Sequence, residues 1–229
     1  GYSEYEHVDE TICGGDFLAD QQPVLEMASW APRSIDLLDR MGVPFSRTKE
    51  GLMDFRRFGG TLHHRTAFSG ASTGQQLLYA LDEQVRKWEV TGQVTKYEGW
   101  EMLSLVLDDH QVCRGLIAMN LQTLELKTFA ADAVIMATGG PGLIFGKSTN
   151  SMTCTGSASA ACYTQGARYA NGEFIQVHPT SIPGEDKLRL MSESARGEGG
   201  RVWVPKADGD ARSPKDIPEN ERWYFLEEK

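Results

Sequence analysis

Apolar residues recur at helical spacing between residues 23 and 42, which predicts an amphipathic helix. Pro23 suits the opening position of that helix, and Gly42 suits its end. Pro32 lies within the pattern and predicts that the helix is interrupted there and then restarts. Residues 1–20 are acidic and lack the pattern, so we expect a loop. The predicted apolar stripe consists of Val24, Met27, Trp30, Ile35, Leu38 and Met41.

A second helix is predicted from Ser72 or Thr73 to about Trp88, because a hydroxyl side chain can cap its first turn. A third helix, rich in small residues, is predicted to begin around Gly156, where its alanines allow another part of the molecule to approach closely. The inward face of the second helix is expected to consist of Leu77, Leu78, Leu81, Val85 and Trp88.

Short apolar runs bounded by turn residues predict strands in the middle of the chain. Residues 108–111 are expected to form a turn, and the wholly apolar residues 133–137 a buried parallel strand ending at a glycine turn. A further strand is expected to carry His178, and residues 205–220 to form an exposed excursion. Helices alternating with strands and an antiparallel β-meander predict an α/β fold with α+β elements. The remaining predicted strands are residues 93–98, 100–107, 115–120 and 124–129.

The composition is that of a globular protein, with 40% hydrophobic and 24% charged residues. The net charge of −9 argues against nucleic acid as a partner, because that binding depends on Lys and Arg neutralising phosphates. No run approaches the apolar length of a membrane span and the first residues are polar, so we expect a cytoplasmic location. The four cysteines lack metal-binding spacing, and we expect free thiols.

The most prominent glycine cluster reads ATGGPG at residues 137–142 and continues to Gly146-Lys147-Ser148. It departs from the phosphate-binding loop of ATPases, which places a glycine five positions before Gly146, where Pro141 stands. We therefore expect no nucleotide triphosphatase. The cluster is either a plain tight turn or a strand-end turn whose backbone approaches a dinucleotide cofactor. Because the chain has no GxGxxG fingerprint, the main pyrophosphate site of such a cofactor is expected outside it.

Candidate acid–base residues lie in EFIQVHPT at residues 173–180, which contains His178, and in the segment after it, which contains Ser192, Glu193 and Arg196. Each has an ordinary explanation alone: a hydrogen-bonded core histidine, a surface carboxylate or a loop ion pair. Together, these groups can hold a small dicarboxylate by its charges and pass a proton.

Two further clusters have competing interpretations. His63 and His64 could indicate a metal site, but neighbouring strand residues point to opposite faces, so a solvated loop is favoured. Arg56 and Arg57 precede Phe58 and two glycines. They form either a plain basic turn or a lip that brings an aromatic ring over a pocket.

Several motifs in fixed order resemble the flavoprotein subunit of succinate dehydrogenase and fumarate reductase. The resemblance covers nearly all 229 residues, and residues 55–60 and 145–150 look most like the Gram-positive form of succinate dehydrogenase. The motifs are GGD at 14–16, MGVPFSR at 41–47, FGG at 58–60, HRT at 64–66, ATGG at 137–140, TN at 149–150, HPT at 178–180, SE at 192–193 and RGEGG at 196–200.

The resemblance implies FAD in a Rossmann-like domain and a capping domain that closes over a dicarboxylate substrate, succinate or fumarate. Residues 1–172 would form the middle of the FAD-binding domain, and residues 173–229 the beginning of the cap. Succinate would lose a hydride to flavin N5 and a proton to an arginine. Electrons would pass to an iron–sulfur subunit, and a membrane anchor subunit would hold the complex at the cytoplasmic face.

The resemblance also assigns roles to individual residues by motif. His178 would hold a substrate carboxylate, Ser192 would donate a hydrogen bond to it, and Glu193 would belong to the proton path. Phe58 would pack beside the dicarboxylate. The residues implied to line FAD are Ala137, Thr138, Gly139 and Gly140.

Departures from the family pattern bear on the expected activity. The GxGxxG motif and the flavin-linking histidine are expected before Gly1, and the proton-carrying arginine and later substrate-binding residues after Lys229. Ser157 stands where the family usually has an aspartate. We therefore expect an internal fragment that binds FAD weakly or not at all and is inactive alone. Fumarate reductase, L-aspartate oxidase and a non-catalytic module are the alternatives.

Overall fold

The computed structural model describes residues 2–57, 61–175, 178, 180–190, 194–197 and 199–227. The chain divides into two compact units, one containing residues 1–94 and 192–229 and the other residues 95–191. The domain boundary predicted between residues 172 and 173 stays a prediction.

Five helices and nine strands make up the regular structure of the described residues. The helices are α1 (Glu4–Gly14), α2 (Gln21–Arg40), α3 (Thr73–Val90), α4 (Ser157–Thr164) and α5 (Ser194–Gly197). The strands are β1 (Phe55–Arg56), β2 (Thr66–Ala67), β3 (Trp100–Leu107), β4 (Cys113–Asn120), β5 (Leu126–Ala130), β6 (Ser181–Ile182), β7 (Arg189–Leu190), β8 (Val204–Pro205) and β9 (Arg222–Trp223).

The first unit begins with helix α1, so the loop predicted for residues 1–20 is wrong over Glu4–Gly14. Ser3 caps this helix: its hydroxyl accepts the Glu6 N–H at 3.2 Å, and the Glu6 carboxylate accepts the Ser3 N–H at 2.7 Å. This reciprocal capping box is encoded by Ser-x-x-Glu, and it satisfies two amides that the first turn would otherwise leave unbonded. Carboxylates in the first turn also suit the positive end of the helix dipole.

Helix α2 continues through Pro32, so the predicted interruption is wrong. Asp20 caps the helix, accepting the Gln22 N–H at 3.2 Å. Pro32 lacks the amide that would bond to the carbonyl of Ala28, which removes one helical hydrogen bond. The helix tolerates this loss because packing holds it on both sides of Pro32: Val24 and Ala28 are buried before it, and Ile35 and Leu38 pack against the core after it.

The core of the first unit lies where α3 packs against the segments that follow α2. Of the residues predicted to face inward from α3, Leu77 packs against this core, whereas Leu78, Leu81, Val85 and Trp88 are 39–69% exposed. Ala80 takes the buried position, so most of the predicted face is wrong. The fully buried core residues are Val43, Phe45, Ala67 and Ala80.

The second unit is built on an antiparallel sheet in the order β3-β4-β5. The predicted meander is confirmed, and β3 has the predicted bounds. Trp100 lies opposite Asn120 across the β3–β4 pair. The predicted turn at residues 108–111 is also confirmed, because the Asp108 carboxylate accepts the N–H groups of His110 and Val112 at 2.9 and 3.0 Å. These hydrogen bonds and one from Arg114 hold the pKa of Asp108 below its ordinary value.

Two predicted strands are absent from the described backbone. Residues 93–98 follow the C-terminal turn of α3, where the Gln93 N–H bonds back to the carbonyl of Trp88 at 3.0 Å. Residues 133–137 form no regular element and pair with no described strand, and Ile135 is 89% exposed. A buried parallel strand needs neighbours for its amide and carbonyl groups, and the described part of the chain supplies none here.

The α/β class with an antiparallel meander is confirmed, since helices and small antiparallel sheets alternate along the described chain. The strand predicted to carry His178 falls partly outside the described residues, and residues 173–175 and 178 form no strand. Most of residues 205–220 are exposed as predicted, but Ile217 is buried at 2% exposure. None of the described helices combines the length and apolarity needed to cross a membrane.

Candidate functional site

The glycine turn of the second unit presents open backbone. Residues 137–140 are exposed, and Gly139 has φ +77°, a conformation that L side chains rarely adopt. A Cβ added at Gly139 or Gly140 would meet no atom within 4 Å. A flat ligand could therefore approach this part of the backbone closely, although the strand predicted to precede the turn is absent from the described backbone.

Close packing holds the downstream half of the turn. A Cβ on Gly142 would lie 2.2 Å from Nδ2 of Asn150, and a Cβ on Gly156 would lie 2.6 Å from Cβ of Pro141. Gly142 is thus closely packed by Asn150, and Gly156, the N-cap residue of α4, is closely packed by Pro141 and has φ +75°. The turn therefore packs against the N-cap of α4 and against Asn150.

A pocket of 270 Å³ opens between this turn and the beginning of α4. Tyr163 and Tyr169 pack edge to face at 6.5 Å between ring centroids and form part of its wall. Thr155 and Ser157 also line it, but their hydroxyls bond to each other, Thr155 Oγ1 donating to Ser157 Oγ at 3.1 Å, and the exposed lining is almost wholly apolar. The predicted small-residue helix is confirmed as α4. An apolar wall that includes two tyrosine rings suits a planar ring.

The β6–β7 hairpin is tied to the segment that follows the glycine turn. The Leu188 N–H donates to the carbonyl of Ser148 at 3.0 Å, and Lys187 Nζ donates to the carbonyl of Thr149 at 3.3 Å. Lys187 therefore stabilises backbone next to the turn. Gly146, Lys147 and Ser148 follow a 3-10 turn instead of opening a helix, so a phosphate-binding loop of the ATPase type is not formed.

His178 is half-buried, and one of its ring nitrogens is engaged by the backbone of Thr180. Nδ1 lies 3.0 Å from the Thr180 carbonyl oxygen and 3.2 Å from the Thr180 amide nitrogen. Nδ1 is thus committed to Thr180 in either tautomer, and Nε2, across the ring, is the nitrogen that points away from this backbone. A local contact between residues 178 and 180 orients the imidazole.

Three predicted site residues, Phe58, Ser192 and Glu193, lie outside the described residues. Arg196 is described, within α5, and is half-buried. The helix ends in a turn in which the Gly199 N–H donates to the carbonyl of Arg196 at 3.0 Å.

A polar cluster that sequence reasoning missed lies in the first unit, where α1 meets the segment after β1. The Glu10 carboxylate accepts hydrogen bonds from the Tyr2 hydroxyl, from the Leu62 N–H at 2.7 Å and from Arg65 Nε at 3.0 Å. Arg65 Nη1 donates to His7 Nε2 at 2.9 Å. Because arginine has no acceptor, His7 is neutral here and carries its proton on Nδ1.

The ionisation of this cluster follows from its contacts. Partial burial raises the pKa of Tyr2 to about 12, and its hydrogen bond to Glu10 acts in the same direction. Burial opposes ionisation of Glu10, but the three hydrogen bonds outweigh it and lower the pKa of this carboxyl. Burial and the Arg65 charge lower the pKa of His7. Tyr2, His7 and Arg65 form one wall of a 570 Å³ cavity.

The two adjacent histidines of the first unit have separate partners. The His63 ring packs 4.9 Å from the Tyr2 ring, and His64 Nδ1 lies 3.1 Å from the carbonyl oxygen of Phe55. No group of three His, Cys, Asp or Glu side chains within the described ranges could hold a metal ion.

A family model described as the FAD binding domain matches residues 1–213. The chain belongs to this FAD-binding domain family. Membership indicates that the cofactor is FAD. The glycine turn with open backbone and the aromatic pocket beside it fit one ring system of such a cofactor, since 270 Å³ holds only part of a dinucleotide.

Similar proteins are flavoprotein subunits of succinate dehydrogenase and fumarate reductase, the family that the sequence motifs resemble. The chain is 67% identical over all 229 residues to the succinate dehydrogenase flavoprotein subunit of Bacillus subtilis, of which it covers 37%. It is 38% identical over 204 residues to the fumarate reductase flavoprotein subunit of Mycobacterium tuberculosis, covering 34% of that protein. The predicted resemblance is confirmed. The chain spans little more than a third of the length of these relatives.

Solved structures show the same fold. A quinol fumarate reductase of E. coli aligns over 89% of this chain and 34% of its own, with a TM-score of 0.81 and 34% identity. A Mycobacterium smegmatis Sdh1 in complex with UQ1 aligns over 96% of this chain and 39% of its own, with a TM-score of 0.77 and 31% identity.

Proposed function

We propose that this chain forms part of a site at which bound FAD meets a dicarboxylate, and that the protein carrying it interconverts succinate and fumarate. The observation that carries this proposal is the 67% identity, over the whole chain, to a succinate dehydrogenase flavoprotein subunit. The structure supports it with an open glycine turn and an oriented histidine on the motifs where the family resemblance implies them.

In this proposal the glycine turn is the contact surface for FAD. Ala137, Thr138, Gly139 and Gly140 line the cofactor through exposed backbone, which can donate and accept hydrogen bonds without side-chain interference. Ser157 offers a neutral hydroxyl where a carboxylate is usual in the family. Bound FAD would supply the two-electron redox chemistry, and the residues of this chain bind and orient the reactants.

The substrate side rests on His178 and on residues outside the described ranges. The His178 ring, oriented through Nδ1 by Thr180, hydrogen-bonds to a substrate carboxylate, and a charge-assisted hydrogen bond of this kind is strong. Ser192 donates a second hydrogen bond to the substrate, and Glu193 belongs to the proton path. Phe58 packs beside the dicarboxylate.

The proposed partners and domains follow the family. Electrons leave FAD for an iron–sulfur subunit, and a membrane anchor subunit holds the complex at the cytoplasmic face of the membrane. Similar structures include a quinol fumarate reductase and an Sdh1 with UQ1, which supports a quinone-linked complex. Residues 1–172 belong to the FAD-binding domain, and residues 173–229 begin the capping domain.

Fumarate reduction is the second candidate, favoured by the 38% identity to a fumarate reductase flavoprotein subunit. Both directions use the same carboxylate-binding groups. The reduction potential of bound FAD and the electron partner decide between them. Turnover of the complete complex with an electron acceptor and with an electron donor separates the two.

The first experiment is a visible absorbance spectrum of the purified protein, recorded after addition of FAD and then of malonate, a dicarboxylate that cannot be dehydrogenated like succinate. In the complete flavoprotein subunit that carries this chain, a protein-bound flavin band that shifts with malonate is the expected result. A protein that retains flavin but ignores malonate contradicts the substrate assignment. A protein that ignores both ligands contradicts the proposal for this chain.

His178→Gln tests the substrate side with a matched control, His110→Gln on the exposed β3–β4 turn. Loss of a hydrogen bond to a charged group should weaken malonate binding about 10- to 100-fold in the first variant. The control should bind malonate as the wild type does, and both should retain flavin. Equal malonate affinity in the wild type and both variants would show that His178 does not bind the dicarboxylate.

A further inference from the structure

The β6–β7 hairpin is short and tightly closed. Two antiparallel residue pairs join its strands. The Asp186 carboxylate accepts a hydrogen bond from Arg189 Nη2 at 2.7 Å across the end of the turn. A Cβ on Gly184 would lie 2.4 Å from the carbonyl oxygen of Lys187, so the turn leaves no room for a side chain at that position. A hairpin closed in this way moves as one body.

The first strand of this hairpin follows the candidate substrate histidine. Strand β6 begins at Ser181, directly after Thr180. The carbonyl oxygen and the amide nitrogen of Thr180 lie 3.0 and 3.2 Å from His178 Nδ1. The backbone that enters β6 therefore orients the imidazole, and a displacement of the hairpin would displace Thr180 and the His178 ring with it.

The second strand is attached to the segment that follows the glycine turn. Lys187 Nζ donates to the carbonyl of Thr149, 38 positions away, at 3.3 Å. The Leu188 N–H donates to the carbonyl of Ser148 at 3.0 Å. Lys187 is half-buried, so water competes less for its hydrogen bond than it would at an exposed lysine.

Residues 148–150 pack in turn against the glycine turn. The Asn150 N–H donates to Ser148 Oγ at 3.1 Å, and Asn150 Nδ2 lies only 2.2 Å from the position that a Cβ on Gly142 would take. A shift of residues 148–150 would therefore be transmitted to residues 137–142. The histidine, the hairpin and the glycine turn thus form one continuous set of contacts within the second unit.

We propose that Lys187 is a positioning residue that sets the spacing between the dicarboxylate held by His178 and the FAD held by the glycine turn. The inference rests on the proposed function of these two sites. Lys187 acts through the carbonyl of Thr149, without touching the substrate. A misplacement of about 1 Å between reactants can lower a rate about 100-fold, so this attachment matters for both binding and turnover.

The test compares Lys187→Met with Lys187→Arg in the complete flavoprotein subunit loaded with FAD. Methionine keeps an unbranched side chain and removes the donor, whereas arginine keeps a charged donor. Malonate affinity is measured from the flavin absorbance shift, and hydrogen exchange at the Leu188 amide. Lys187→Met should retain flavin, exchange the Leu188 amide about tenfold faster and bind malonate about tenfold more weakly. Lys187→Arg should restore most of both properties.

Lys206→Met is the matched control, because Lys206 Nζ also donates to a backbone carbonyl, that of Asn220 at 3.0 Å, but in the first unit. It should bind malonate as the wild type does. The loss of affinity in Lys187→Met should persist at about 1 M salt, where the Debye length falls to about 3 Å. A loss that disappeared there would show a long-range attraction between Lys187 and malonate and would overturn the inference.

Faster Leu188 exchange with wild-type malonate affinity would make Lys187 merely structural and overturn the inference, as would unchanged exchange. If Lys187→Met does not fold, Lys187→Gln, which keeps a shorter neutral donor, takes its place. It should bind malonate several-fold more weakly than Lys187→Arg, and equal affinities would overturn the inference. A wild-type subunit that retains flavin but ignores malonate would instead contradict the proposed function.

Discussion

The side-chain amide of Gln165 pairs with both backbone polar groups of Leu105. The Leu105 N–H donates to Gln165 Oε1 at 2.7 Å, and Gln165 Nε2 donates to the Leu105 carbonyl at 3.0 Å. Leu105 lies on β3, an edge strand of the meander, and Gln165 is the residue that ends α4. The Gln165 amide thus satisfies the two polar groups of Leu105 at the edge of the sheet and attaches the C-terminal end of α4 to β3. Helix α4 carries one wall of the aromatic pocket.

Gln165→Ala should destabilise the second unit, because it leaves both polar groups of Leu105 without this partner. We expect a loss of about 1–3 kcal/mol in the free energy of unfolding. Gln165→Glu should also destabilise the second unit. One oxygen of the carboxylate can accept the Leu105 N–H, but the other has no hydrogen to donate to the Leu105 carbonyl. Urea unfolding followed by circular dichroism measures both. Gln122→Ala in the exposed β4–β5 turn is the control and should change stability by less than about 0.5 kcal/mol.

Gly115→Ala should disrupt the pairing of β4 with β5. Gly115 has φ +149°, and a Cβ there would lie 2.0 Å from the carbonyl oxygen of Phe129 on the neighbouring strand. Backbone must move to relieve the contact, and we expect a loss of about 2 kcal/mol or more in unfolding free energy, on the scale of overpacking.

Gly74→Ala provides the contrast, because Gly74 lies in the first turn of α3 with no atom within 4 Å of the added Cβ. Alanine should stabilise the helix by about 0.5–1 kcal/mol. If Gly115→Ala melted no earlier than Gly74→Ala, the close approach of β4 and β5 would be wrong.

Local sequence signals predicted those elements whose stability is local. Turn chemistry at residues 108–111 and the short apolar runs on either side of it predicted the meander, with β3 found at the predicted bounds. The Ser-x-x-Glu capping box is a local signal for the start of α1, whereas the acidic composition of residues 1–20 is not a signal against a helix. The interruption predicted at Pro32 is wrong because helix propensity is a local property, whereas the burial of Ala28 that stabilises α2 depends on tertiary contacts.

The remaining errors concern properties that depend on distant partners. Periodicity predicted that α3 has an apolar face, but the neighbouring core selects Leu77 and Ala80 from its surface. The apolar run at residues 133–137 has the composition of a buried strand, and a strand exists only where another strand accepts its hydrogen bonds.

Motif order predicted the family and the glycine turn of the candidate site. It could not predict the cluster around Glu10, because its contacts join residues more than 50 positions apart and no local pattern records them. The roles of Phe58, Ser192 and Glu193 stay predictions, since these residues lie outside the described ranges.

Ile217→Ala should be among the most destabilising substitutions in the segment after β8. Ile217 is 2% exposed, and its carbonyl accepts Arg222 Nε at 2.9 Å beside the strand β9. Truncating a buried isoleucine costs about 2–5 kcal/mol in unfolding free energy. Leu226→Ala, at a site that is 53% exposed, should cost far less. Equal denaturation midpoints for the two variants would show that residues 205–220 are not anchored by Ile217.

His7 should make the stability of the first unit depend on pH between about 7.5 and 5.5. Burial and the Arg65 charge hold the pKa of His7 below its ordinary value of 6.5, while Glu10 acts weakly in the opposite direction. The unfolded chain therefore binds a proton at a higher pH than the folded chain does, so stability falls as the pH drops below about 6.5. The lowered pKa of Glu10 contributes a further loss only at more acidic pH.

His7→Gln separates this effect from other titrations, because its amide oxygen can accept the hydrogen bond from Arg65 Nη1 and does not titrate. Urea midpoints measured at pH 7.5 and 5.5 should differ less in His7→Gln than in the wild type. His110→Gln, on the exposed β3–β4 turn, should keep the wild-type difference. A wild-type protein that became more stable at pH 5.5, or a His7→Gln variant with an unchanged difference, would show that Arg65 does not hold His7 in its neutral form.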